Sequence, residues 1–258
     1  MFDVMRIQLT SERSARSRGG RKHARGLGSP CAACYPHRMM ASRGYEKWAF
    51  IATSDDDAPV FPDGCRDVLV IETQSGPPSI ILPDHDLVPR QARLKAGTRI
   101  TGFRLRPGSQ LDPGVLDAIA RQPGEAENIL AEARRDPDDL GEAIRALTRP
   151  GASLRSVAAA AGVSQRTLQR RFRKFDLPAP DYWRLLARAR RAAQRLTSAC
   201  TLADIAGESG YADQAHMTRE CLRWFGATPA SLRRDPRHLA LISQPALGNW
   251  TGEQISTR

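Results

Sequence analysis

The chain has 258 residues, with 39 Lys and Arg against 28 Asp and Glu, a formal net charge of +11 and a pI near 10.2. This length accommodates one large domain or two small ones, and no run of 18 apolar residues indicates a membrane span. The basic balance favours an acidic partner such as nucleic acid, and five Cys without a disulfide framework favour a cytoplasmic location.

Residues 1–43 form a basic segment with nine Lys and Arg against two Asp and Glu. It has few apolar side chains and no periodicity, so it cannot bury enough surface to offset its ordering entropy, and we expect it to be disordered. Two interpretations remain: an arm that adds nonspecific DNA affinity, or an extension upstream of a true start at Met39 or Met40.

A CxxC motif lies in this segment at Cys31 and Cys34, and His37 follows by three residues. A structural zinc site needs four ligands, and Cys65 is the only other Cys before the helical region. We therefore predict no metal site and no cofactor.

From 44 to 110 the pattern changes to short apolar or alternating runs separated by Pro, Gly and Asp. The spacing predicts a small antiparallel barrel or sandwich. The predicted strands cover 48–52, 67–72, 79–82 and 98–105.

Candidate catalytic groups in this β-rich region are few. Asp63 is followed by Gly64, which is typical of a turn, and His85 lacks the paired histidines of a metal-dependent site. We predict no catalytic residues and no enzyme activity. A binding pocket is the better hypothesis. Its lining would be Trp48, Phe61, Phe103, Arg104 and Arg106. The alternative is that the two arginines are only solvated residues of a strand.

Residues 111–150 return to helical spacing, interrupted by Pro123-Gly124 and Asp136-Pro137. From the residues alone, this segment is a helical linker packed on the β region. At the other end of the chain, 236–258 has little periodicity and is predicted to be a loose tail.

Residues 151–235 contain one short helical unit twice. The apolar face of 154–161 recurs 48 residues later in 202–209, and the turn at Gly162 recurs at Gly210. Beyond the turn the offset is 49, because the second copy has one extra residue between its helices. Side chains that can cap the helices are Ser153, Ser164, Thr201 with Asp204, Asp213 and Thr228.

This unit has the form of a helix-turn-helix, whose second helix can enter the major groove; the alternative is a pair of ordinary helical hairpins. Charge supports the first interpretation, because 151–235 holds 15 Lys and Arg against 7 Asp and Glu, a net of +8. By contrast, 44–150 holds 13 against 18, a net of −5. A helix over 180–197, roughly 27 Å long, would hold the two recognition helices about one DNA turn apart.

The stretches "SLRSVAAAAGVSQRTLQRRFRKF" and "TLADIAGESGYADQAHMTRECLRWFGATPASLRR" resemble the DNA-binding domain of AraC/XylS-type transcription regulators. Leu232 and Cys221 depart from that pattern, where aromatic residues are usual, and we expect looser packing with the same fold. "FPDGCRDVLVIE" and "GFRLRPG" resemble the cupin-like N-terminal domain of some of these regulators.

The resemblance implies an α+β protein, with a β-rich cupin-like sensory domain over 44–110 and a double helix-turn-helix over 151–235. It implies double-stranded DNA and RNA polymerase as partners. It also implies that the N-terminal part binds a small-molecule effector or forms a homodimer, with 111–150 as a dimerisation segment. An enzymatic or small-molecule-binding cupin with an accessory helical domain is the alternative, and an architectural DNA binder without sequence choice is a third.

Two groups of side chains are predicted to touch DNA. Arg can pair with guanine and Gln with adenine, and the first recognition helix, which offers more long donors, should dominate discrimination. The predicted base-reading residues are Arg166, Gln169 and Arg170, on the face of the first recognition helix opposite Leu168, Phe172 and Phe175, and Gln214, Ala215, Thr218 and Arg219 on the second. The predicted phosphate contacts are Ser164, Arg173, Lys174, Asp213 and Arg223.

Overall fold

The computed structural model describes residues 45–135 and 139–248, all of which belong to one compact unit. A β-rich part comes first and a helical part follows, as predicted. The strands are β1 (Tyr45–Ile51), β2 (Asp56–Val60), β3 (Asp67–Glu72), β4 (Ser79–Ile81), β5 (Arg90–Leu94), β6 (Arg99–Leu105), β7 (Gln110–Leu111) and β8 (Arg134–Arg135).

The main sheet has four antiparallel strands in the order β1-β6-β3-β4, while β2 pairs with β5 and β7 with β8. In β3 the alternation of the sequence sets the orientation, because Val68 and Val70 are buried while the intervening positions are partly exposed. Each of the four predicted strand runs lies on a strand of this sheet. Strands β2 and β5 were not predicted; they form a separate two-stranded sheet, and β1 and β4 are the edges of the four-stranded sheet.

The described ranges contain ten α-helices, and a short 3-10 helix (Pro123–Glu125) lies between the first two. The α-helices are α1 (Val115–Arg121), α2 (Ala126–Ala133), α3 (Asp139–Thr148), α4 (Leu154–Ala160), α5 (Gln165–Lys174), α6 (Pro180–Arg195), α7 (Leu202–Glu208), α8 (Gln214–Phe225), α9 (Pro229–Arg233) and α10 (Pro236–Ile242). None of them combines the length and apolar character that crossing a membrane requires.

The helical segment between the two parts is divided between two hydrophobic cores. Ile119 of α1 and Leu130 of α2 pack with Val68 and Phe103 of the sheet. Helix α3 instead packs through Ile144 into the core of the C-terminal helices. The segment predicted over 111–150 as a linker or dimerisation element therefore covers the sheet with its first half and completes the helical part with its second.

The C-terminal core is organised by α6, which contributes Trp183 and Leu186 at its centre. Both helical units predicted from the repeat pack on this helix, since α5 inserts Phe172 and α8 inserts Trp224. At 16 residues α6 is about 24 Å long, two residues shorter than predicted.

The prediction of a loose tail is wrong for residues 236–248. Asp235 caps α10, Pro236 occupies its first position, and Ile242 and Leu247 are fully buried. The sequence contains the signals for the start of α10. The burial of Ile242 and Leu247 could not be predicted from them, because other elements of the folded chain cover these side chains. Residues 249–258, like the predicted arm over 1–43 with Cys31, Cys34 and His37, lie outside the described residues.

Residues 244–247 lie between the β-rich part and α6. The Leu247 amide donates to the Asp63 carbonyl at 3.0 Å, the Arg104 guanidinium of β6 donates to the Pro245 carbonyl at 3.3 Å, and that of Arg190 in α6 donates to the Gln244 carbonyl at 2.7 Å. This segment therefore joins the sheet to the helix on which both helical units pack.

Candidate nucleic-acid interface

The first helical unit consists of α4, a glycine turn and α5. Ser153 caps α4 in a reciprocal capping box with Ser156. Gly162 turns the chain with φ of 65°, a left-handed conformation that favours glycine, and Ser164 then caps α5 by accepting from the Thr167 amide at 3.1 Å. The predicted caps and turn of this unit are confirmed.

The second unit repeats these devices with different side chains. Thr201 and Asp204 form the predicted capping box on α7, and Gly210 turns the chain with φ of 76°. Asp213 caps α8 by accepting from the His216 amide at 2.6 Å, and Gly226 ends the helix with φ of 68°. Helix–turn–helix geometry is therefore present twice in one chain.

The predicted base-reading side chains of α5 share its outward face. Arg166, Gln169 and Arg170 are exposed, whereas Leu168 and Phe172 on the opposite side are fully buried. Phe175, predicted to lie with that inner face, is 39% exposed. It follows the last residue of α5, so the helical periodicity no longer sets its direction.

Helix α8 presents the equivalent face with shorter side chains. Gln214, Ala215 and Arg219 are exposed, while Thr218 is half-buried and its hydroxyl donates to the Gln214 carbonyl at 2.9 Å. On the inner side Met217 and other residues are fully buried. This face therefore offers fewer free polar groups than that of α5.

The side chains predicted to contact phosphate differ in whether they already contact other groups of the protein. Arg173 and Lys174 are exposed at the end of α5. Arg223 lies over the Trp224 ring at 4.7 Å and 4.0 Å from a Glu220 oxygen, although its side chain stays 55% exposed. The Ser164 and Asp213 side chains cap helices, and their proposed contact with phosphate stays a prediction.

Residues 157–235 match the family model described as a helix-turn-helix domain, here of the AraC type. Residues 157–235 form an AraC-type helix-turn-helix domain.

The curated relatives that match the chain are named as transcriptional regulators. The chain is 31% identical over 128 residues to the HTH-type transcriptional regulator VirS from two strains of Mycobacterium tuberculosis. That match covers 50% of this chain and 37% of the relative, so the chain matches little more than a third of the length of VirS.

Solved structures similar to the chain include two of ToxT from Vibrio cholerae, each with a TM-score of 0.42. Sequence identity to them is 8% and 9%, over 74% and 79% of this chain and 98% and 100% of the ToxT chains.

The second unit of the AraC-type domain is fixed to α6 by a residue that sequence reasoning missed. The Arg188 guanidinium lies over the Tyr211 ring at 4.3 Å and donates to the Gly210 carbonyl at 3.2 Å. It also lies 3.9 Å from a Glu220 oxygen, and Glu220 accepts from the Trp224 indole at 3.0 Å. Arg188 thus ties the turn and α8 to the central helix, and only the tertiary structure brings these residues together.

Burial in this cluster raises the pKa of the Tyr211 phenol well above its usual value. Burial, followed by the nearby Glu220 carboxylate, raises the pKa of the Cys221 thiol to about 12. Cys221 is therefore a neutral packing residue of the AraC-type domain, in the position where the resemblance leads one to expect an aromatic side chain.

The predicted pocket residues of the β-rich part have different surroundings, although Trp48 and Arg104 both donate to Asp67. Trp48 lies against Gly102 and donates to Asp67, whereas Phe103 is buried in the sheet core. Phe61 packs on Phe225 of the AraC-type domain with ring centroids 6.4 Å apart.

The two predicted arginines of that pocket also have structural surroundings. Arg104 is partly buried, with 13% of its side chain exposed, and is ion-paired with Asp63 at 3.0 Å and Asp67 at 3.2 Å. Burial lowers its pKa, but the two carboxylates outweigh that effect and raise it above the usual value. Arg106 is half-buried at the end of β6. Asp63 accepts from the Cys65 amide within a turn at Gly64, as the sequence predicts.

No group of three His, Cys, Asp or Glu side chains suited to a metal occurs within residues 45–135 and 139–248. His85 instead packs on Trp183, with ring centroids 5.3 Å apart. Burial, and then the charge of Arg66, lowers its pKa to about 4 despite the opposing effect of Asp84. His85 is thus a neutral ring between the β-rich part and α6.

Proposed function

We propose that the protein is a sequence-specific DNA-binding transcription regulator that reads two successive major-groove segments. The observation that carries the proposal is the pair of helix-turn-helix units on one central helix, each with a capped second helix whose outer face is exposed. The net charge of +8 over 151–235 favours a polyanion as the ligand of these faces.

The predicted reading residues support sequence choice rather than simple charge neutralisation. Arg166, Gln169 and Arg170 are the residue types that pair with guanine and adenine edges, and all three are exposed. An architectural DNA binder would need only the positive charge. Arg173 and Lys174 then contact phosphate at the end of α5 and set the register.

We further propose that the β-rich part modulates DNA binding, through a small-molecule effector or through a homodimer. Its support is the docking of that part on α6, where the Tyr182 hydroxyl donates to the Asp86 carbonyl at 3.0 Å. Pro89 also lies close to Gly226 at the end of α8, since a methyl group added to Gly226 would be 3.5 Å from the Pro89 ring. A conformational change in the β-rich part would thus reach α6, on which both helical units pack. We expect RNA polymerase to be the protein partner of such a regulator, in the cytoplasm.

In vitro selection from random duplexes with the full chain tests the proposal. We expect enrichment of one site with two conserved segments, bound at least about a thousandfold more tightly than random DNA. Equal affinity for all duplexes would favour an architectural binder, and no DNA binding would favour the cupin-like alternative.

A further inference from the structure

Four corresponding positions lie along the outer side of the two recognition helices but carry different chemistry, and of these only Thr218 is half-buried. Residues 166, 169, 170 and 173 of α5 correspond to 215, 218, 219 and 222 of α8, at intervals of three, four and seven residues. Helices that read the major groove use this spacing, because it places four side chains along one face. On α5 these are Arg, Gln, Arg and Arg, and on α8 they are Ala, Thr, Arg and Leu.

Leu222 is an apolar side chain on the outer face of a helix whose inner face is already filled. It is 46% exposed, while Met217, Cys221, Trp224 and Phe225 form the buried side of α8. The core therefore does not account for a leucine at this position.

Ala215 lies on the same outer line as Leu222 and is also exposed. Seven residues of helix separate them, which is about 10.5 Å along the axis and nearly two full turns. Between them, the hydroxyl of Thr218 is engaged with the Gln214 carbonyl, which leaves its methyl group as the uncommitted part. The Ala215 methyl group, the Thr218 methyl group and the Leu222 side chain thus lie along one side of α8.

We propose that α8 reads thymine methyl groups through Ala215 and Leu222, so that the second half of the operator carries thymines at two positions roughly three base pairs apart. The proposal rests on the proposed function. The thymine C5-methyl is the apolar group that the unmodified bases present in the major groove, and Ala and Thr methyl groups contact it.

The charges beside this line favour duplex DNA over a protein partner. Arg219 and Arg223 flank the apolar positions, and both side chains are largely exposed. A surface that combines negative charge at its edges with methyl groups on its floor complements this face, and the major groove of a thymine-containing duplex is such a surface.

The test replaces thymine by deoxyuridine, which removes only the methyl group. After selection with the full chain, each thymine of the site is substituted in turn and the equilibrium dissociation constant is measured. We expect binding to weaken about fourfold at each of two positions in the segment contacted by α8, the effect of uncovering one methyl group. Thymines in the segment contacted by α5 should respond less than about twofold.

The variant Leu222→Ala should abolish the methyl dependence at one of the two positions and leave the other intact. Leu241→Ala is the matched control, because Leu241 is also an exposed leucine, at 38%, but lies on α10. Thermal melts of both variants establish that they fold as the parent does.

The outcomes separate this proposal from the function on which it rests. If the chain selects a two-segment site but no deoxyuridine weakens binding, or if Leu222→Ala keeps both methyl effects, the thymine proposal is overturned. Failure to select any site would instead overturn the proposed function.

Discussion

Arg166 and Gln169 are exposed on the outer face of α5, and their side chains are long enough to reach base edges. We expect Arg166→Ala or Gln169→Ala to relax the base preference at one or two operator positions, each by about 1 to 3 kcal/mol. Competition binding with duplexes changed at single base pairs measures this. Arg121→Ala, which removes an exposed charge from α1, is the control. A variant that lost affinity equally for operator and random DNA would be assigned to phosphate instead.

Arg173 and Lys174 are exposed cations at the end of α5, whereas Arg223 already contacts Trp224 and Glu220. Neutralising Arg173 or Lys174 should lower the slope of log affinity against log salt by about 1 and leave base preference unchanged. The change for Arg223 should be smaller, because its guanidinium lies 4.0 Å from a Glu220 oxygen, whereas Lys174 lies only over the Phe175 ring at 5.8 Å. Salt titrations of the three glutamine variants decide the matter, and an unchanged slope for all three would remove them from the interface.

At the scale of elements, the turns of the two helical units depend on backbone conformation alone. Gly162 and Gly210 both have positive φ, and no atom lies within 4 Å of a Cβ built on either. Each Gly→Ala variant should therefore lose about 1 to 2 kcal/mol of unfolding free energy. Each Gly→Asn variant should lose less, because Asn tolerates the left-handed conformation.

Chemical denaturation of these four variants provides the measurement. A loss well above that range would show that the added side chain meets a neighbour. No loss would show that the turns do not hold a left-handed residue.

The elements that sequence reasoning predicted are those specified by local signals. Caps at Ser164, Asp213 and Thr228 and the helical repeat are local, so the starts of α5, α8 and α9 follow from the sequence. Strand β2 was missed because Pro59 argues against a strand, yet β2 pairs with β5 alone, where a proline is tolerated.

The parts of the candidate site that were missed depend on contacts between distant residues. The outward direction of Arg166 and Arg219 follows from helical periodicity. The stacking of Arg188 on Tyr211 and the burial of Leu247 do not, because each requires surfaces from separate elements. Phe175 was placed wrongly because the periodicity was extended past the end of α5.

At the scale of the whole molecule, the contact between the β-rich part and α6 should respond to acid. The folded chain keeps His85 neutral with a pKa of about 4, below the usual 6.5, so the unfolded chain binds more protons between these values. Stability should therefore fall as the pH drops from about 7 to 4.5, by about 2 to 3 kcal/mol from this group.

The variant His85→Gln isolates that contribution. Its unfolding free energy should fall less over the same pH range, since glutamine does not titrate. Parallel pH profiles for the parent and the variant would mean that His85 is hydrated in the folded protein and does not report on the contact.

The central claim is that one chain reads two major-groove segments with α5 and α8. The AraC-type domain shares its core with Ile144 of α3 and Leu247 near the C-terminus, so the full chain is the right material. Hydroxyl-radical and methylation footprinting on the selected site should show two protected segments about 10 base pairs apart on one face of the duplex. Arg219→Ala should weaken protection of one segment and spare the other. Protection of a single segment of about 4 or 5 base pairs, roughly half a turn, would contradict the account and assign the second unit a structural role.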